Sequence, residues 1–131
     1  MTTPALHAAL RACAHGLSPA EAGVELLINH GSFLRRSDFR DHFVHLGTSI
    51  TDGITTMAEI DWPTTITALD TGDLPCSGGE HRILRLAASL ADGIPVDLRD
   101  TLTGLDDRNI ELVITAILHA SGKRPEPPKI P

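Results

Sequence analysis

The densest group of residues able to do chemistry lies at positions 35–45, RRSDFRDHFVH. If this stretch is helical from Ser37 to Leu46, Asp38 and His42 stand four residues apart, as do Asp41 and His45, while His42 and His45 stand three apart. That spacing places neighbouring side chains on one surface, where Asp38, His42 and His45 are candidate metal ligands and His30 is a further donor from outside. No HExxH accompanies them, and pairs of Asp and His equally make a solvated polar face beside the Phe39/Phe43 stripe. The same stretch carries Arg35, Arg36 and Arg40, which on a reading helix would contact phosphates or bases. Asp38 and Asp41 oppose that use, because each acid repels phosphate at contact distance.

Nucleophilic chemistry has less to build on. Ser32 and Ser77 follow Gly and Cys, but neither lies in GxSxG. Cys13 and Cys76 form no CxxC and are expected to be buried thiols in a reducing compartment. Asp106 and Asp107 open a helix, where the helix dipole accounts for them.

A second candidate is the run 76–93, CSGGEHRILRLAASLADG. Its SGGE, at 77–80, resembles the signature motif of the ABC and SMC-type ATPases, and GLDD at 104–107 resembles their GLD loop. The resemblance implies a phosphate-touching turn at a helix start. A GxxxxGK[ST] loop is absent from the chain, and Val96 alone precedes Leu98-Arg99-Asp100 where an apolar strand would be needed. Ser77 and Glu80 are then a capping box at the head of a helix whose Ile83, Leu84, Leu86, Ala87, Leu90 and Ala91 form a wide buried arc.

The elements that must hold these residues are mostly helical. Thr3-Pro4 starts a helix, with Leu6, Leu10, Cys13 and Leu17 recurring at helical spacing and Gly16 ending it. Ser18-Pro19-Ala20-Glu21 is a capping box for a second, bearing Val24, Leu27 and Ile28. Phe33 and Leu34 form a connector, and Ser37 caps the third helix, whose inner face is Phe39, Phe43 and Leu46. Asp52-Gly53 between Thr- and Ile-rich flanks signals a small hairpin near 48–58. Asp61 caps a helix with Trp62, Ile66 and Leu69, and Asp97 caps a short one with Leu98 and Leu102. Asp106 opens a last helix, 107–121, in which Glu111, Thr115 and His119 are the only polar side chains between Ile110 and Ala120. With 78–92 it is expected at the centre of the fold. The tail from 123 to 131, KRPEPPKIP, is too rich in Pro to continue it.

The expectation is an all-α, single-domain protein of six or seven helices over residues 1–122, with one possible hairpin. A chain of 131 residues can bury roughly two thirds of its unfolded surface around one core. With no run near ~20 apolar residues and no basic-then-apolar leader, a cytoplasmic location without membrane insertion is expected. The charge of −6 reflects 17 Asp and Glu against 11 Lys and Arg, and residues 1–50 are balanced while the rest is acidic. That balance disfavours nucleic acid, and three Phe, one Trp and no Tyr leave few stacking platforms. No complete catalytic or cofactor motif is present. The favoured function is a non-enzymatic module that binds another protein or itself, with a small winged-helix-like DNA-binding regulator acting through 35–46 as the alternative.

Overall fold

The computed structural model describes residues 1–123. Those residues form eight helices and one two-stranded antiparallel sheet. In order they are α1 Thr3–Ala14, α2 Ser18–His30, α3 Ser32–Arg35, α4 Ser37–Phe43, β1 Val44–Thr48, β2 Thr56–Ile60, α5 Trp62–Thr71, α6 Gly78–Asp92, α7 Leu98–Thr103 and α8 Asp107–Ala120. The Pro-rich tail expected from 123 onward lies, after Lys123, outside the described residues.

The element at the centre is α2. It packs against α1, α3, α6 and α8, and Ala22, Leu26 and Leu27 are fully enclosed. Its crossing with α6 is close because Gly23 has no side chain: a Cβ there would stand 2.6 Å from Ala91 Cβ and 2.8 Å from the Ala87 carbonyl oxygen. Real Cβ atoms do not tolerate such contacts, so the glycine fixes how near the two helices come. From the other side, Phe33, Phe39 and Phe43 stack in sequence, their ring centroids 5.3 and 5.4 Å apart. Ile83, Leu84 and Ala87 of α6 complete the same core.

The helix expected over 37–46 stops at Phe43, and the hairpin begins earlier than the 48–58 read from the sequence. Val44 pairs with Ile60 and Leu46 with Ala58. A helix through Leu46 would satisfy only local hydrogen bonds. The strand instead buries Val44, Ala58 and Ile60, with β2 lying against α1. Leu46 therefore leaves the expected inner face and is 60% exposed. The Asp52-Gly53 turn was legible: Gly53 has φ 66°, and the Asp52 carboxylate accepts the Ile54 and Thr55 amides at 2.9 Å each. Led by the Thr55 hydroxyl, these donors hold the Asp52 pKa down to about 2.

Caps confirm some starts and shift others. Ser77 and Glu80 form the reciprocal box, the Ser77 hydroxyl accepting the Glu80 amide at 3.2 Å and the Glu80 carboxylate accepting the Ser77 amide at 2.9 Å. Asp61, Asp97 and Asp106 cap α5, α7 and α8. Thr2, not Thr3, caps α1. Ser18 and Ser37 are already inside their helices, and Leu17 and Arg36 occupy the cap positions without side-chain bonds. Asp38 takes over at α4, accepting the Phe39 amide at 2.9 Å.

Candidate functional site

The hairpin disperses the expected metal group. Asp38 and His42 remain on α4, but His45 sits on β1, so the three-residue helical step between the histidines does not exist. His45 Nε2 lies 3.4 Å from an Asp61 carboxylate oxygen, while His42 Nδ1 is 2.8 Å from the Asp38 backbone carbonyl. The Asp38 carboxylate is taken by Arg36 at 2.6 Å, the main reason its pKa is lowered. Among the described residues no three His, Cys, Asp or Glu side chains are placed to share a metal ion.

Two of the three candidate phosphate-contacting arginines are also engaged. Arg36 donates to Asp38 and, at 2.7 Å, to the Pro75 carbonyl. Arg40 donates to the Leu34 carbonyl at 2.9 Å. Arg35 stays exposed, its guanidinium lying over Gly31. The hairpin between 44 and 60 carries no Lys or Arg, so it adds no phosphate contact. Between α4 and α5 lies an open cleft of about 490 Å³ lined by Asp38, His42, Thr64, Thr67, Thr71 and Asp73.

Cys13 departs from expectation by being exposed, and Cys76 is half-buried. Desolvation raises both thiol pKa values, which keeps them protonated and weakly nucleophilic.

The two strings that resemble ATPase parts meet in space. A Cβ on Gly79 would be 3.5 Å from the Asn109 side-chain amide, and Arg82 lies directly against Gly104. The starts of α6 and α8 are thus neighbours, joined by small residues at 78, 79 and 104. Nearby, Arg108 donates to the Asn29 carbonyl at the end of α2, at 3.2 Å.

The largest departure concerns α8. Sequence alone placed it at the centre, yet only one narrow stripe of Asn109, Val113 and Ala116 is buried. Those side chains are small or medium, which suits close packing on α2. The opposite surface presents Ile114, Ile117 and Leu118 to solvent, 53%, 50% and 38% exposed. Leu98 and Leu102 of α7 are also exposed. Glu111 and Thr115 share this exposed face, while His119 turns to the flank, where its Nε2 reaches Glu21 at 3.2 Å. The available sequence signal was the spacing of the smaller residues 109, 113 and 116, which marks the inner stripe better than polarity does.

No protein-family model, curated protein or solved structure matches this chain.

Proposed function

We propose that this protein is a non-enzymatic helical module that self-associates through the outer face of α8. The observation that carries the reading is the exposure of Ile114, Ile117 and Leu118 together within two helical turns. Fully burying one such side chain stabilises by about 1.5–3 kcal/mol, and these are already partly covered. Half of that, summed over two copies, suits a reversible pair rather than an obligate one, since association carries its own entropic cost.

The favoured partner is a second copy because the helix is electrostatically complementary to its own reverse. It begins with Asp106, Asp107 and Glu111 and is followed at its end by Lys123. An antiparallel pair about Thr115 sets Asp107 of each copy opposite Lys123 of the other and aligns opposite helix-dipole ends. The DNA-binding alternative has less support, with Arg36 and Arg40 held by internal acceptors.

Sedimentation equilibrium across a concentration series tests the proposal. The expected result is a concentration-dependent dimer that Ile114→Glu converts to monomer while the circular dichroism spectrum is kept. A wild-type chain that stays monomeric at its highest soluble concentration would rule the reading out.

A further inference from the structure

The hairpin leaves one edge of its sheet open. At the two ends of the ladder the Asp61 amide donates to the Phe43 carbonyl and the Ser49 amide to the Thr55 carbonyl, at 2.8 Å each. With Val44 opposite Ile60 and Thr48 opposite Thr56, His45 and Gly47 therefore direct their peptide groups to β2, and Leu46 and Thr48 direct theirs outward. The sheet holds no third strand among the described residues, and residues 45–48 are all exposed. Proteins commonly guard such an edge with Lys, Pro or a bulge. The strand VHLGT has none of these, and its register with β2 is continuous.

Beside the open edge lies a place for a side chain. Val44 and Leu46, two residues apart, share one face of the strand. With Met1, Leu6, Arg40 and Asp41 they line a cavity of about 250 Å³. The two charges at its rim are not equivalent. Arg40 donates to the Leu34 carbonyl at 2.9 Å, whereas Asp41 is exposed and pairs with no cation among the described residues.

From the geometry we infer that the outer edge of β1 takes up an extended segment of a different protein, antiparallel to it, with an apolar side chain in this cavity and a Lys or Arg beside Asp41. Main-chain bonds to Leu46 and Thr48 supply the ladder, and in an antiparallel pair the residues that make those bonds carry their side chains on the cavity face. A second copy of this chain complements the site less well. Its own β1 brings no Lys or Arg to Asp41, and each copy carries a net charge of −6. This edge belongs to a different element from the outer face of α8, and its use needs no pairing of that helix.

The test is a titration of the isotope-labelled full chain with the peptide acetyl-KTLTLTK-amide, whose Leu and Lys side chains share one strand face. Saturable shifts and slowed hydrogen exchange are expected at the Leu46 and Thr48 amides, with shifts of the Leu6 and Leu46 methyl groups, and equally in Ile114→Glu. Methylating the amide nitrogens of the two leucines keeps their side chains but removes the ladder donors, and should weaken binding about tenfold. The peptide acetyl-ETLTLTE-amide should bind about fivefold more weakly than the lysine form, and the exposed substitution Asp41→Lys should reverse that order. No saturable binding, equal affinity of the methylated peptide, or an unchanged charge preference in Asp41→Lys would overturn the inference. So would protection of the Leu46 and Thr48 amides that grows with protein concentration alone, which assigns the edge to a second copy. The α8 pair is read by sedimentation, so either surface can fail without the other.

Discussion

His30 and Gly23 show how much single residues decide here. Burial holds the His30 pKa below its ordinary 6.5, and burial followed by the Arg85 charge does the same for His81. Below pH 6.5 the unfolded chain therefore binds protons that the folded chain refuses, so stability is complete above that pH and declines as pH falls through the window. A second decline follows at lower pH. Glu80 is lowered chiefly by the Ser77 amide, Glu21 by the Gly16 amide and Asp61 by Thr64. The expected melting curve falls in two stages on acidification, and His30→Leu should shrink the first while leaving the second. Equal first stages in the two proteins would remove His30 from this account. At Gly23 the prediction is steric. Gly23→Ala places a methyl group into Ala91 and the Ala87 carbonyl, and should cost roughly 1–3 kcal/mol in denaturant unfolding.

Among the elements, α6 and α8 began as a matched pair of core helices and end in different roles. The box at the head of α6 stands as the sequence indicated, and Ser77→Ala should destabilise by about 1 kcal/mol, measured by urea midpoint. The rest of α6 is enclosed because α2, α5 and α8 all contact it. By contrast α8 has neighbours on one side only, and its hydrophobic surplus faces outward. An Ile117→Ser substitution should therefore change folding stability by less than about 0.5 kcal/mol, as exposed positions do, yet weaken dimerisation. A large loss of monomer stability would mean that Ile117 is packed within its own chain. The hairpin is the other instructive element. Its turn residues were readable, but strand limits depended on Val44 and Ile60 finding each other and α1, contacts that local periodicity does not encode.

For the molecule as a whole, the proposed association concerns one side of one helix. Ile114, Ile117 and Leu118 lie in the middle and later turns of α8, away from the cap at Asp106. No described helix is long and apolar enough to cross a membrane.

The sequence by itself determined the punctuation of this protein. Asp61, Ser77, Asp97 and Asp106 announce helix starts, Gly31, Gly72 and Gly93 announce ends in the left-handed conformation, and Asp52-Gly53 announces a turn. These are local effects, complete within four or five residues, so they survive without knowledge of the rest of the chain. Tertiary structure alone decided which apolar face is covered. It made α2 the hub through the missing side chain of Gly23, drew residues 44–48 out of a helix and thereby separated His45 from His42, and left the outer face of α8 bare. It also brought SGGE and GLDD together around Arg82. Each of those outcomes depends on residues far apart in sequence competing for the same limited core surface, and that competition is settled only when all the elements pack at once.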